Sequence, residues 1–170
     1  KQINTKRTLD KKWITIYDEI IGKSIRQTKI VPVLINYKVG SKTFEKKPDK
    51  FDLQLIEKIE KAKNNYWYPT NELPYGFNTE QPKRSHGNSH IHHFHTSRNR
   101  FVLASIWAKS INLPALKWTI SSIIQRSNKQ HQVAISRVGG EKSKEGGKTA
   151  GHRRGTLYIP SIQVEFSVLE

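Results

Sequence analysis

The 170-residue sequence contains no cysteine and no methionine, and it has few acidic side chains. Without cysteine, a disulfide framework and a cysteine-based zinc ribbon are both excluded. The sequence also lacks the roughly 20 consecutive apolar residues of a membrane-spanning helix and the pattern of a signal peptide. These absences predict an intracellular protein without a membrane segment. Because a complete protein begins with methionine, the absence of that residue also predicts a piece of a longer chain.

Motifs that bind nucleotide phosphates or present a catalytic nucleophile are absent as well. A phosphate-binding loop has the pattern Gly-x-x-x-x-Gly-Lys-Ser/Thr. The Gly-Lys-Ser/Thr sequences at Gly22 and Gly147 have Tyr17 and Lys142 where the first glycine belongs. No Gly-x-Ser-x-Gly turn of a serine hydrolase occurs either. We therefore predict no catalytic residue and no bound cofactor within this chain.

Basic side chains dominate the charge of the sequence. Thirty Lys and Arg against fourteen Asp and Glu leave a formal net charge of +16. A field of this size favours polyanionic partners, of which nucleic acid is the commonest. The alternative is a solvated basic surface without a dedicated partner.

Local patterns predict a single domain, 1–170, of the α+β class. A small sheet made of an early hairpin and a late strand would pack against three or four helices. In chain order, the prediction is a helix over 10–22, strands over 30–38 and 42–46 with Gly40 in the turn, a helix capped by Asp49, an aromatic loop over 64–82, a helix capped by Ser97 or Asn99, a helix after Pro114, a flexible basic loop over 126–154, and a closing strand interrupted by Pro160.

The aromatic loop allows two interpretations. Its rings could stack on unpaired bases, as in single-strand binding proteins, or fold against the core of the domain. The rings concerned are Tyr66, Trp67, Tyr68, Tyr75 and Phe77.

The segment "HGNSHIHHFHTSRNR", residues 86–100, holds five of the seven histidines. Neutral imidazole is a ligand for zinc, nickel or copper. However, no Asp or Glu lies between Glu80 and Glu141, so a metal site would need a carboxylate or a further histidine from elsewhere. We predict no metal here and keep a histidine metal module as an alternative.

Basic residues around the histidines favour a DNA surface. Lys83, Arg84, Arg98 and Arg100 bracket the segment and are predicted to position phosphates. His90, His92 and Asn99 are candidates for base-edge contacts or for structural polar contacts. A flexible clamp is predicted from Lys142, Lys144, Lys148, Arg153 and Arg154.

Three segments together resemble a family. The sequences "YWYPTNELPYG", "HGNSHIHHFHTSRNRFVLASIW" and "GTLYIPSIQVE" occur in this order, after the helix sequence "KKPDKFDLQLIEKIE". They resemble a stretch of bacterial DNA methyltransferases that modify exocyclic amino groups of adenine or cytosine. The resemblance covers roughly residues 30–168.

The resemblance implies the middle, target-recognition part of such an enzyme, in the bacterial cytoplasm. Its partners would be double-stranded DNA and the remaining methyltransferase segments, which would hold S-adenosylmethionine. The family's Asp-Pro-Phe-Gly-Gly-Ser-Gly and Asp-Pro-Pro-Phe/Tyr motifs are both absent, as are its Cys-x-x-Cys pairs. The piece alone is therefore expected to be inactive. An RNA-binding module that stacks bases on Trp67 and Tyr68 is a further alternative.

Overall fold

A computed structural model describes residues 11–135, 148–152 and 157–168. These residues form four α-helices, a short 3-10 helix and six strands, and the predicted α+β class is confirmed. Each strand pairs with its neighbour in sequence, so the described strands form three separate antiparallel hairpins. The elements are β1 (Trp13–Asp18), β2 (Lys23–Thr28), β3 (Ile35–Val39), β4 (Lys42–Lys46), α1 (Lys50–Glu60), α2 (Phe77–His86), the 3-10 helix (Ile91–Phe94), α3 (Ser97–Lys109), α4 (Pro114–Ile124), β5 (His131–Ile135) and β6 (Lys148–His152).

The helix predicted over 10–22 is wrong, because β1 and the turn before β2 occupy this part of the chain. The sequence "WITIY" is rich in β-branched and aromatic side chains, which fit a pleated strand better than a helix. Gly22 has a positive φ of 65° in the turn. Pairing with Lys23–Thr28 supplies the backbone hydrogen-bond partners, and an apolar spacing compatible with a helix does not reveal that pairing.

The second hairpin and the first helix follow their local signals, although the strand predicted over 30–38 begins only at Ile35. Gly40, with a φ of 61°, lies in the turn between β3 and β4. Tyr37 and Phe44 face each other across the strands and stack with ring centroids 5.7 Å apart. Asp49 caps α1, and its backbone N–H donates to Asp52 in return, which makes a reciprocal capping box.

The later helices differ from the prediction at their ends. α2 begins at Phe77, so the last part of the predicted loop over 64–82 is helical. The hydroxyl of Thr96, one residue before Ser97, caps α3. Pro114 lies in the first turn of α4, where its missing N–H is not needed. None of the helices in the described part of the chain is long and apolar enough to cross a membrane.

Within the flexible basic loop predicted over 126–154, residues 131–135 and 148–152 are paired strands and not loop. The backbone of Lys148 lies opposite that of Ile135 in this hairpin. Residues 157–168 do not form the predicted strand and contribute a single bridge between Gln163 and Gln132. The clamp residues Lys142, Lys144, Arg153 and Arg154 lie outside the described residues.

Polar side chains fill much of the interior. Five hydrophobic side chains are buried in the described residues: Phe94, Ala104, Ile120, Ile159 and Val168. Eleven polar or charged side chains are buried beside them: Asp18, His86, Asn88, His92, His93, Asn99, Ser110, Ser127, Asn128, Gln130 and His131. Buried polar groups are tolerated only when they are hydrogen-bonded, so hydrogen bonding rather than apolar packing organises the interior.

Candidate functional site

The first hairpin docks on the histidine segment at Gly87. This glycine ends α2 with a φ of 77°, and a Cβ built on it would lie 2.0 Å from the carbonyl oxygen of Arg26. The side chain of Gln27 also donates to the carbonyl of Gly87, at 3.4 Å. Only glycine allows the two backbones to approach this closely. The contact brings the end of β1, and with it Asp18, against the histidines.

Asp18 joins two of these histidines in a buried cluster. Its Oδ2 lies 2.8 Å from Nε2 of His92 and 2.9 Å from Nε2 of His93. Its Oδ1 accepts the backbone N–H of Ile20 at 3.0 Å. His92 is 2% exposed and His93 is 5% exposed. We call Asp18, His92 and His93 the histidine cluster.

Backbone hydrogen bonds determine the protonation of His93. Its Nδ1 accepts the N–H of Ser89 at 3.1 Å and that of His90 at 3.3 Å. A nitrogen that accepts carries no proton, so the proton of the neutral ring lies on Nε2 and is donated to Asp18. His92 also directs Nε2 at the carboxylate, while its buried Nδ1 has no hydrogen-bond partner.

Charges in the histidine cluster follow from burial and these hydrogen bonds. Burial raises the pKa of Asp18, but the hydrogen bonds from His92 and His93 outweigh it and lower the pKa to about 2. Burial lowers the pKa of His93 to about 4 and lowers that of His92 as well, against the opposing effect of Asp18. At neutral pH the cluster therefore holds one carboxylate between two neutral imidazoles.

The cluster also has the composition of a metal site, since three ligand atoms lie within 4.8 Å of one another. Asp18 supplies the carboxylate that the histidine segment lacks, from a position that sequence spacing does not reveal. A metal, however, binds the unprotonated nitrogen of a neutral imidazole whose other nitrogen donates a hydrogen bond. The Nε2 of His93 is the protonated nitrogen, so the arrangement fits a structural hydrogen-bonded cluster and does not fit a metal centre.

Other polar residues of the segment also hold the interior together. The side-chain amide of Asn99 donates to the carbonyls of Ser127 at 3.0 Å and Phe166 at 2.9 Å. Asn88 donates to the carbonyl of His93 at 3.1 Å. For Asn99 and His92, these contacts support the structural alternative over base-edge contact, because both side chains are buried.

The predicted phosphate-binding arginines have different surroundings. Arg98 forms an ion pair with Glu165, whose carboxylate also accepts from Thr96. Arg100 lies over the ring of Tyr68, with its guanidinium carbon 5.2 Å from the ring centre. The side chain of Arg84, in contrast, is 82% exposed. Of these three arginines, Arg84 is the one with a largely solvated side chain.

Lys83 and His90 make local contacts. Lys83 donates to the carbonyl of Leu73 at 3.1 Å and lies 3.5 Å from the carboxylate of Glu80. The Nδ1 of His90 lies 2.8 Å from the hydroxyl of Ser89. Neither side chain is fully buried, so both stay candidates for DNA contact.

The aromatic loop contains rings that pack against the rest of the domain and rings that face solvent. Tyr66 packs edge-on against Phe101, with ring centroids 6.0 Å apart, and Tyr68 packs between His92 and Arg100. Tyr75 and Phe77, in contrast, are 93% and 95% exposed. Tyr66 and Tyr68 are held against the domain, although Tyr66 is still 37% exposed, whereas Trp67 is 69% exposed and is presented to solvent like Tyr75 and Phe77.

Tyr75 and Phe77 border an open groove of about 690 Å³. Polar side chains of α2 share the groove with residues that precede Ile159. The full lining is Tyr75, Phe77, Asn78, Glu80, Gln81, Arg84, Ser85, Leu157 and Tyr158. We call this the aromatic groove. Aromatic rings beside an arginine are a feature of surfaces that bind unpaired bases.

Comparison of the chain with protein-family models, with curated proteins and with solved structures found no match.

Proposed function

We propose that this chain is a DNA-contacting, target-recognition part of a methyltransferase that acts on exocyclic amino groups of DNA bases. In this proposal it works in the bacterial cytoplasm, and the remaining methyltransferase segments supply S-adenosylmethionine and the catalytic motif. The resemblance of the aromatic, histidine and Gly-Thr-Leu-Tyr segments to this family supports the class of enzyme.

The observation that carries the DNA-binding part is the aromatic groove with Arg84 at its border. The side chain of Arg84 is 82% exposed, and the chain as a whole has a formal net charge of +16. A solvated guanidinium beside exposed rings supplies both phosphate attraction and base stacking. The polar interior supports the proposal indirectly, because the hydrogen-bonded histidine segment holds α2 in place.

The residues predicted to contact DNA fall into two groups, those with accessible side chains and those held by contacts inside the protein. Three residues stay predicted DNA contacts: Arg84, Lys83 and His90. Arg98 could contact DNA only if its ion pair with Glu165 broke. His92 and Asn99 are assigned to the interior. Arg100 is assigned to the Tyr68 contact, where its Nε is buried.

The test is fluorescence anisotropy of a labelled DNA duplex over a salt series. We expect binding at about 50 mM salt, with log K falling linearly against log salt concentration. Replacing Arg84 by Gln should reduce that slope by about one, the contribution of one phosphate contact. The matched control is Arg126→Gln, because Arg126 is also exposed but does not line the groove.

Two results would contradict the proposal. Absence of duplex binding at about 50 mM salt, where non-specific contacts are detectable, would remove DNA as the partner of this chain. An equal fall in slope for both variants would mean that net charge, and not the groove, determines binding. Preferential competition by single-stranded RNA would favour the RNA-binding alternative.

A further inference from the structure

We propose that the second hairpin, formed by β3 and β4, is a self-association surface through which two copies of this chain make a symmetric dimer. One face of the hairpin is apolar and exposed, and a second copy brings the same face to cover it. The inference adds a surface and a partner, and it does not depend on DNA binding.

The second hairpin lacks a packing partner within the described residues. Its two strands pair only with each other, and neither packs extensively against another described helix or strand. None of the side chains on β3 or β4 is buried. Because a two-stranded hairpin by itself is at best marginally stable in water, its apolar face is expected to be covered by a further element.

The register of the strands puts apolar side chains on one face, since side chains alternate between the two faces of a hairpin. Tyr37 and Phe44 are 39% and 42% exposed at the centre of this face, and Val39 is 62% exposed near the turn. The cross-strand pairs on the apolar face are Ile35 with Lys46, Tyr37 with Phe44, and Val39 with Lys42, and those on the opposite face are Asn36 with Glu45 and Lys38 with Thr43. An exposed apolar face with a polar border is a feature of protein interaction sites.

Charge in this part of the chain permits contact between two copies. Residues 30–60 hold six lysines and five acidic residues, whereas the whole chain has a formal net charge of +16. Two strongly basic surfaces repel each other, but two nearly neutral ones do not. A second copy is therefore electrostatically compatible with this hairpin, although the chain as a whole is basic.

Charge also selects one of the two symmetric arrangements of the faces. A two-fold axis parallel to the strands would place the turn of one hairpin over the turn of the other, with Lys42 beside its own copy. An axis perpendicular to the strands places the turn over the opposite end of the other hairpin. At that end Lys46 lies 3.2 Å from Asp49 and 2.8 Å from Asp52, so two carboxylates share one lysine. The second arrangement gives each Lys42 an acidic neighbour, and it is therefore the arrangement of the proposed dimer.

Sedimentation velocity of the chain over a concentration series tests the dimer. Because a two-stranded face is small, we expect association with a Kd on the order of 10–100 µM, measured as a sedimentation coefficient that rises with concentration towards that of a dimer. The association should persist at about 0.5 M NaCl, because apolar burial contributes most of it and salt screens only the ion pairs.

Matched pairs of substitutions assign the dimer to one face of the hairpin. Val39→Lys puts a charge into the apolar face of both copies and should weaken the dimer at least about tenfold, whereas Thr43→Lys on the opposite face should leave the Kd unchanged. Lys42→Glu should weaken it roughly fivefold. Lys38→Glu makes the same charge change on the opposite face and should not weaken it. All four side chains are exposed, so the variants are expected to fold, and circular dichroism verifies this.

Three results would overturn the proposal or part of it. A purely monomeric chain at about ten times the expected Kd would mean that a different partner covers the hairpin, and would overturn the dimer. A dimer that Val39→Lys leaves intact would mean that the contact lies elsewhere on the chain. Equal weakening by Lys42→Glu and Lys38→Glu would overturn the arrangement of the two hairpins, because net charge and not position would then determine the association.

Discussion

Residues 86–99 bury five polar side chains, including two neighbouring histidines, whereas residues 75–84 present aromatic rings to water. His92 and His93 are 2% and 5% exposed, while Tyr75 and Phe77 are 93% and 95% exposed. By residue type alone, imidazoles are expected at a surface that binds ligands and aromatic rings in a core. A cluster of histidines can therefore be a structural element of the interior, while aromatic side chains remain exposed to solvent.

The physical reason for the contrast is the supply of hydrogen-bond partners. The histidines meet a carboxylate and two backbone amides, so their burial leaves most of their polar atoms paired. The rings at the groove have no comparable covering among the described residues. Four experiments test this contrast, in order of decreasing effect on stability.

Acid should destabilise the protein through its buried histidines. Burial lowers the folded-state pKa of His86 and of His93 to about 4 from the ordinary value of 6.5. The unfolded chain then binds more protons between these values, so the free energy of unfolding falls as pH drops from 7 to 4. The two residues together account for a loss on the order of 5 kcal/mol.

Below pH 4 the loss should continue. The pKa of Asp18 is about 2 in the folded state against 3.8 ordinarily, so its contribution disappears as pH falls through that range. Urea unfolding at a series of pH values measures both effects. A free energy of unfolding that is flat from pH 7 to pH 5 would mean that the histidines are not buried as described.

Removing the shared acceptor should be the most damaging single substitution in the histidine cluster. Asp18→Ala leaves the N–H groups of His92, His93 and Ile20 without their acceptor. We expect a loss of about 3–5 kcal/mol in the free energy of unfolding. The neighbouring exposed residue provides the control, and Glu19→Ala should stay within about 0.5 kcal/mol. Similar urea midpoints for the two variants would contradict the role of Asp18.

Docking of the first hairpin is tested with two glycines of similar conformation. Gly87 and Gly40 both have positive φ, 77° and 61°, but only Gly87 has backbone atoms in the space of a Cβ. Gly40→Ala should cost about 1 kcal/mol for its left-handed conformation. Gly87→Ala should cost at least about 2 kcal/mol more, because the backbone of Arg26 and Gln27 must move away. Equal effects in thermal unfolding would argue against the close contact.

A chelator should have the smallest effect. Because the Nε2 of His93 is protonated, the histidine cluster offers no complete set of metal ligands. Adding EDTA to protein purified without a histidine tag should therefore leave Tm unchanged. A marked fall in Tm, restored by zinc, would show instead that the cluster is a metal centre.

Local signals predicted the elements whose stabilising contacts are close in sequence. The Gly40 turn and the Asp49 cap each depend on residues within a few positions, and both are found as expected. The helix over 10–22 was wrong because strand β1 is stabilised by pairing with β2. The closing strand was wrong because residues 157–168 meet β5 at one bridge only.

For the candidate site, the sequence drew attention to particular segments but could not predict the surroundings of their side chains. The concentration of histidines and basic residues identified 83–100 as important. The difference between the solvated Arg84 and the paired Arg98 depends on Glu165, which lies 67 positions from Arg98 in the sequence.

The sign and size of the charge, the absence of thiol chemistry, and the turns and caps that act over a few residues follow directly from the amino-acid sequence. Which polar groups are buried and which rings face water depends on contacts made in the folded protein. Asp18 and His92 are 74 positions apart, and nothing local to either residue requires them to meet. Burial and hydrogen-bond satisfaction are properties of contacts between distant segments, so they exist only once the chain is folded.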